Sequence, residues 1–232
     1  MTVRLITPAD DELYGLASAA GKLGRAAKLL DRLADAVRAA PADPQAAGRH
    51  ALALMAVLPS IGIEFAAHAR FTATVEALTD VLDLEPEHWL ARYSRARLRT
   101  LIPSSYGAYA VQIAGDLDSA REDVDRLIAH QATLPPQPYF ISAHALAAVL
   151  DELAAAPPTP GRPGLLGALA AAPREPVRLV ALGAVLCEPL ATLHAQAGTG
   201  AQLRTALGEV LGAVYGDQPA VAAVLRREAV PR

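Results

Sequence analysis

The prolines of this 232-residue sequence constrain its fold most, because they mark where helices can begin and end. Proline lacks a backbone N–H, so it is tolerated in the first turn of a helix and disrupts the interior. Thr7-Pro8 and Asp43-Pro44 each place a capping side chain directly before such a proline. These pairs predict helix starts, and the later prolines predict where helices end.

Apolar residues recur with a helical period between the prolines. Leu29, Leu33 and Val37 fall on one face of a 3.6-residue helix, and Leu78 and Leu82 do the same later in the chain. The chain is rich in Ala and Leu, which are strong helix formers, and has few of the β-branched runs that mark strands. We therefore predict an all-α fold of antiparallel helix pairs.

Helix boundaries follow from the same signals. We predict helices from Pro8 to about Ala20, around Leu33, from Pro44 to Pro59, from Ser60 past Leu82, from Pro86 to before Pro103, after Asp116, from about Tyr139 to Ala155, from Val177 to Leu193 with a kink at Pro189, around Leu207, and after Asp217. The segment 157–164, Pro-Pro-Thr-Pro-Gly-Arg-Pro-Gly, cannot be helical because six of its residues are proline or glycine. It predicts a linker between residues 1–156 and a C-terminal helical extension over residues 165–232.

Two segments resemble tetratricopeptide repeats. In residues 84–96 one helix ends at a proline and the next begins with an aromatic and a small residue, as in that family. The matching residues are Pro86, Trp89, Tyr93 and Ala96. In the second segment, Gly115 and Ala120 match the family's glycine turn and the small residue five positions later.

The resemblance covers roughly residues 44–155. It implies a short right-handed superhelix of helix pairs over residues 1–156, a tetratricopeptide-like array that residues 165–232 would close. The stretch from Ala96 to Ala120 is about a dozen residues longer than a ~34-residue repeat allows, which predicts an inserted loop after Pro103. This family shares a scaffold rather than a chemistry, so the resemblance implies a protein partner and no particular reaction.

A basic stripe lies on the helix predicted after Pro86. Arg92, Arg95 and Arg99 are spaced three and four residues apart and share one helix face. In proteins that this chain resembles, the first helix of each pair lines a concave groove, where arginine forks suit carboxylates. We take these arginines, together with Tyr106 and Tyr109 of the inserted loop, as candidate partner-binding residues. The alternative is a solvated face, or salt bridges to acids on the next helix.

A second basic row is interleaved with Asp31 and Asp35, which is typical of an exposed helix face. Its members are Lys22, Arg25, Lys28 and Arg32.

Metal or acid/base chemistry would need clustered histidines and carboxylates. Glu64 and His68 lie one helical turn apart, and Glu85 with His88 has the spacing of a di-iron motif, which occurs only once here. His144 lies among Ala and Leu, as a core histidine would. Glu64, His68, His88 and His144 stay as candidate metal or pocket residues, although we expect no metal and no cofactor. No nucleophile elbow, phosphate loop, dinucleotide fingerprint or zinc-protease motif occurs.

Composition and charge argue against several further classes. Aromatic residues make up 4% of the chain and the formal net charge is -3, which disfavours nucleic-acid binding. The most apolar stretch, residues 179–187, is shorter than the ~18–20 residues that a membrane span needs. The single cysteine, Cys187, cannot form an internal disulfide and is expected to be a small buried hydrophobe. With no apolar core of signal-peptide length at the N-terminus, we expect a cytoplasmic protein.

The sequence therefore predicts a non-enzymatic adaptor or scaffold. It would present a concave helical groove to an acidic or extended segment of a protein partner, and its apolar C-terminal helices would be the interface for any self-association. The alternative is a helical-bundle enzyme or a protein that binds a small ligand or metal in an interior His/Glu pocket.

Overall fold

The computed structural model describes residues 5–60, 65–100, 117–155, 157–173, 179–187, 190, 201–215 and 219–228. Every regular element in these ranges is a helix, which confirms the all-α prediction. The chain divides into two compact units, residues 1–115 and 116–232.

In the described residues of the first unit there are five helices and a short 3-10 turn. They are α1 (Pro8–Lys22), α2 (Ala27–Ala39), α3 (Pro44–Val57), the 3-10 turn Leu58–Ser60, α4 (Phe65–Leu84) and α5 (Trp89–Thr100). Helix α3 is the centre of this unit, because it packs against the four other helices. Its buried residues are Ala47, Ala51, Leu52, Ala53, Met55, Ala56 and Val57.

The predicted helix starts at Pro8 and Pro44 are confirmed, and their caps explain them. Thr7 Oγ1 accepts a hydrogen bond from the backbone N–H of Asp10 at 3.3 Å. In return, Asp10 Oδ2 accepts from the backbone N–H of Thr7 at 2.8 Å, which completes a capping box. At α3, the Asp43 carboxylate accepts from the backbone N–H of Gln45 at 2.9 Å.

Helix α5 begins three residues later than predicted, at Trp89 rather than Pro86. The backbone N–H of His88 donates to the carbonyl of Glu85 at 3.0 Å, so residues 85–88 form a turn. His88 Nδ1 then accepts from the backbone N–H of Ala91 at 3.3 Å. The imidazole thus satisfies a free N–H of the first turn, the role that Ser, Thr, Asp or Asn usually fills.

Six helices and a 3-10 turn lie in the part of the second unit that the structure describes. They are α6 (Leu117–Gln131), the 3-10 turn Pro138–Phe140, α7 (Ile141–Leu153), α8 (Leu165–Ala171), α9 (Gly183–Leu186), α10 (Ala201–Tyr215) and α11 (Pro219–Glu228). Helix α7 packs against α6, α8 and α11, and α10 packs against α9 and α11. Ten of the thirteen residues of α7 are buried, which makes this helix the core element of the unit.

Two predictions for the C-terminal residues were wrong. Helix α8 was not predicted, although Leu165 and Leu169 are each 1% exposed and anchor it. Of the helix predicted from Val177 to Leu193, residues 179–182 are not helical, whereas residues 183–186 (α9) and Leu190 are; Val177, Pro189 and Leu193 lie outside the described residues. Cys187 ends α9 with a left-handed backbone, at φ 50°. Its side chain is fully buried, as expected.

The segment 157–164 is not helical, as predicted. It lies inside the second unit and connects α7 to α8. In the part of the chain that the structure describes, no helix combines the length and the apolar character needed to cross a membrane.

Candidate functional site

Helix α5 has the largest net charge of the described helices in the first unit, because it contains four arginines and no acidic residue. Its apolar face is buried, as the sequence predicts: Trp89 is 2% exposed and Tyr93 is 0% exposed. Their rings are one turn apart and stack with centroids 5.1 Å apart. This anchored face fixes the rotation of α5 and thereby sets the direction of each arginine.

Arg92 is buried, with a relative exposure of 6%. Its guanidinium donates to the carbonyl oxygen of Pro86, in the turn that precedes the helix. Arg92 therefore fastens the start of α5 to the preceding turn, and it does not belong to the accessible part of the stripe.

Arg95 lies between helices α5 and α4. Its Nη1 atom donates to the hydroxyl oxygen of Thr79 at 3.2 Å, and that hydroxyl donates in turn to the carbonyl of Val75 at 2.9 Å. Arg95 as a whole is half-buried, and the hydrogen bond to Thr79 orients its guanidinium. Arg99, on the same face, is half-buried as well.

Arg97 is a further basic residue of α5 that was not among the predicted partner-binding residues. It lies two positions from Arg95 and therefore off the face that Arg92, Arg95 and Arg99 share. It is half-buried. Burial raises the pKa of Tyr14 in α1, and the nearby positive charge of Arg97 opposes that rise. Arg97 thus lies near α1, whereas Arg95 contacts α4. The two tyrosines expected beside the stripe, Tyr106 and Tyr109, lie outside the described residues.

A small cleft lies between α1, α3, α4 and α5. Three of its lining residues are polar and more than nine-tenths buried: Asp10, His88 and Ser94. Ser94 Oγ has no hydrogen-bond partner among the described residues. The space open to the centre of a water-sized sphere is about 10 Å³, close to what one water molecule requires. The other lining residues are Gly48, Ala51, Leu52, Met55, Leu78, Val81, Leu90 and Ala91.

Of the four candidate metal ligands, the structure describes the side chains of two, His88 and His144. Glu64 lies outside the described residues, and of His68 only the backbone is described. His88 belongs to the first unit and His144 to the second. No three His, Cys, Asp or Glu side chains converge as a metal site would require in the ranges that the structure describes.

His144 and His50 are both held in the neutral form. Burial lowers the pKa of His144 to about 4, with a smaller contribution from the positive charge of Arg162. Burial also lowers the pKa of His50, Arg38 adds to that effect, and Asp80 opposes it. Desolvation therefore dominates at both rings.

The second basic row is exposed along its whole length. Its members are Lys22, Arg25, Lys28 and Arg32. Lys28 and Arg32 lie on α2, in which only Leu30 is buried, Lys22 ends α1, and Arg25 lies between these helices. The row supplies exposed positive charge on the first unit that is separate from the arginines of α5.

Comparison with protein-family models, with curated proteins and with solved structures found no match for this chain.

Proposed function

We propose that residues 1–115 form a tetratricopeptide-like module that binds a protein partner, and that the arginines of α5 bind carboxylates of an acidic, extended segment. The observation that carries this proposal is the charge of α5. The helix has four arginines and no acid, and three of them, Arg95, Arg97 and Arg99, keep part of their surface accessible. The module would act as an adaptor rather than as an enzyme.

The packing of the first unit supports a repeat of helix pairs. Helix α3 contacts its chain neighbours α2 and α4, and it also contacts α1 and α5, which lie two helices away in sequence. In a stack of helical hairpins each helix meets its hairpin partner and the equivalent helix of the next hairpin. The contacts of α3 with α4, α1 and α5 fit this pattern, with α1, α3 and α5 as the first helices of pairs, which would line the concave face of the array. Helices α1 and α2 depart from it, because both pack mainly on α3 rather than on each other.

Arg95 is the residue best placed to bind a carboxylate. The hydrogen bond to Thr79 fixes one nitrogen of its guanidinium on a neutral acceptor. A guanidinium has five N–H donors, and its planar fork matches the geometry of a carboxylate. Because the side chain is already ordered, less conformational entropy is lost when a partner binds. Arg92 has a different role, because it is buried and its guanidinium donates a hydrogen bond to the carbonyl of Pro86, just before α5.

The proposal includes two wider statements. The chain would act in the cytoplasm, and the lone, buried Cys187 fits a compartment where disulfides are rare. Any self-association would use the apolar C-terminal helices, so that the α5 surface stays available to the partner.

Charge reversal on α5 tests the proposal. The probe is a fluorescently labelled extended peptide rich in Asp and Glu, and the readout is fluorescence anisotropy at two salt concentrations. Arg95→Glu should weaken binding by about tenfold or more, because it replaces attraction by repulsion at the contact. Arg32→Glu changes the net charge equally on exposed α2 and should change the Kd less than about twofold.

Equal loss in both variants would contradict the proposal, because it would show that only the overall charge matters. Unchanged binding by Arg95→Glu would contradict it as well. Circular dichroism of each variant should show unaltered helicity, which separates a lost contact from a lost fold.

One observation favours a second candidate, a small-ligand site at the Asp10–His88–Ser94 cleft. Ser94 is 1% exposed and its hydroxyl has no protein partner among the described residues, so it can bind a small hydroxyl-bearing or amine-bearing ligand. The cleft is narrow, and the inner end of such a ligand could be no larger than about one water molecule. A thermal shift with small alcohols or amines, present in the wild type and absent in Ser94→Ala, would support this candidate.

A further inference from the structure

The segment 157–164 contains a tight reverse turn, Thr159-Pro160-Gly161-Arg162. The backbone N–H of Arg162 donates to the carbonyl of Thr159 at 3.1 Å. Gly161 has φ +81°, and proline precedes it, which is the geometry of a type II turn. The turn places the side chains of Thr159 and Arg162 close together, although they are three residues apart.

Both side chains of the turn bind Asp125 of helix α6. Thr159 Oγ1 lies 3.0 and 3.2 Å from the two carboxylate oxygens of Asp125. Arg162 Nη1 donates to Asp125 Oδ1 at 2.9 Å. One carboxylate therefore receives a hydroxyl and a guanidinium from the same turn.

The other end of the Arg162 guanidinium binds Asp151 of helix α7 through Nη2. The side chains of Arg162 and Asp151 are only 7% and 1% exposed. Arg121 of α6 also contacts Asp151, at 3.2 Å. Burial raises the pKa of Asp151 in spite of the positive charges of Arg162, Arg121 and Arg227, and Asp125 adds to the rise. Each guanidinium near Asp151 therefore stabilises the ionised form of this carboxyl group against the effect of burial.

The backbone of this segment contributes little to its attachment. Four of its eight residues are prolines, which have no N–H to donate. The residues between and around the two anchors are exposed, namely Pro157, Pro158, Pro160, Gly161 and Pro163. Among the described residues, the segment accepts two further hydrogen bonds from outside itself: the carbonyl of Pro157 accepts one from Arg121, and the carbonyl of Gly164 accepts one from the backbone N–H of Ala168 in α8. The free-energy cost of opening this segment is therefore set mainly by the side-chain contacts of Thr159 and Arg162.

The two carboxylates that hold the turn, Asp125 and Asp151, lie on helices whose neighbouring residues are part of the core of the unit. Asp125 is flanked by the fully buried Val124 and by Leu127, which is 2% exposed. Asp151 follows Leu150, which is 1% exposed. We therefore expect the helices that carry the two carboxylates to stay in place if the turn leaves, with Arg121 still beside Asp151.

We propose that Asp125 and Asp151 form a docking site for an arginine-bearing Pro-Gly turn on a partner protein, and that residues 157–164 occupy this site in the free chain. The contacts of Thr159 and Arg162 define the chemistry of the occupant: a guanidinium that spans two carboxylates and a hydroxyl that donates to one of them. A partner's turn with the same groups competes with the chain's own segment. This site lies in the second unit and is independent of the α5 arginines.

The test uses the full chain and a labelled peptide with the sequence of residues 157–164. In the wild type the tethered segment has a high effective concentration and should exclude the peptide. Arg162→Ala should bind the peptide saturably and at least tenfold more tightly than the wild type does. Adding Asp125→Asn should abolish the gain, and a peptide carrying Arg162→Lys should bind less well, because an ammonium cannot span two carboxylates. Arg126→Ala, an exposed position on the same helix, is the matched control and should gain nothing.

An Arg162→Ala protein with native helicity that binds the peptide no better than the wild type would overturn the proposal. If Arg162→Ala does not fold by itself, the same site can be filled by ethylguanidinium at millimolar concentration. Refolding with ethylguanidinium, and not with ethylammonium, supports a guanidinium site. Failure of both cations to restore folding also overturns it.

Discussion

The Nε2 atom of His144 lies 3.0 Å from the side-chain nitrogen of Gln131. The same amide nitrogen donates to the carbonyl oxygen of Phe140 at 3.3 Å, which identifies it as the NH₂ group. The hydrogen-bond network therefore assigns Nε2 of His144 as an acceptor and places the ring proton on Nδ1. Nδ1 is buried and has no hydrogen-bond partner among the described residues. A second proton would have to bind Nε2, where its N–H would point at the NH₂ group of Gln131. This arrangement therefore disfavours the charged ring.

Acid should destabilise the protein through His144. Its pKa is about 4 in the folded chain, against an ordinary value of 6.5. Between these values the unfolded chain binds a proton that the folded chain does not, so the free energy of unfolding falls as pH drops through this window. The loss reaches roughly 3 kcal/mol near pH 4, and most of it should appear in urea unfolding curves at pH 7 and about pH 4.5.

His144→Gln isolates this effect, because it keeps a polar side chain and removes the titration. The variant should show a shallower loss of stability than the wild type over the same pH range. Some loss persists, since the pKa of His50 is also lowered. The raised pKa of Asp151 works in the opposite direction, because its folded form binds a proton more readily, and it is present in both proteins. Identical pH dependence in the two proteins would refute the assigned role of His144.

Two residues around the α7–α8 connection, Ala155 and Gly161, have a left-handed backbone. Exchanging alanine and glycine at these two positions should change the stability of the protein in opposite directions. Ala155, just after α7, has φ 48°, a conformation that costs an L-residue about 1–2 kcal/mol. Ala155→Gly should therefore stabilise the protein by about 1 kcal/mol. Gly161→Ala should destabilise it by a similar amount, and by backbone strain alone, because an added Cβ meets no atom within 4 Å.

Gly167→Ala is the control for these two substitutions. Gly167 lies within α8, and its added Cβ would meet only Pro163, at 3.9 Å. Alanine there should stabilise the protein by roughly 0.5–1 kcal/mol through helix propensity. Thermal unfolding of the three variants checks the signs. Stabilisation by Gly161→Ala would contradict the left-handed turn that orients Thr159 and Arg162.

Gly21 allows α1 to approach the 3-10 turn of the first unit. A Cβ at this position would lie 2.8 Å from Ser60 Oγ and 3.2 Å from Ser60 Cβ. Gly21→Ala should therefore destabilise the protein by about 1 kcal/mol, even though alanine is the better helix former. In the background of Ser60→Gly the same change should become neutral or stabilising. Additive effects in this double-mutant cycle would show that the close approach does not limit position 21.

The sequence predicted those features that local signals determine. Thr7 before Pro8, with Asp10 three residues on, is a complete capping box within four residues, and α1 begins there. The start of α5 was wrong by three residues because His88 caps the helix, and histidine is not a usual capping residue. Helix α8 was missed because glycines precede and interrupt it, and two buried leucines on the core of the unit stabilise it nevertheless.

Features that depend on tertiary contacts could not be predicted. The spacing of Arg92, Arg95 and Arg99 shows that they share a face, but it does not show that Arg92 turns back to the carbonyl of Pro86. Likewise, nothing local to Arg162 indicates Asp125, thirty-seven residues away in the chain. Periodicity defines faces of single helices, whereas side-chain partners depend on how the helices pack.

Charge exchange between α5 and its ligand tests the central claim of an acid-binding surface most directly. The measurement is the Kd of Arg95→Glu for two extended peptides, one acidic and one in which a single glutamate is replaced by lysine. The account predicts that Arg95→Glu binds the acidic peptide about tenfold more weakly than the wild type does, and that the lysine peptide restores at least part of the loss. If no lysine position along the peptide restores binding, or if Arg95→Glu binds the acidic peptide as well as the wild type does, Arg95 does not contact the partner's carboxylates and the claim is wrong.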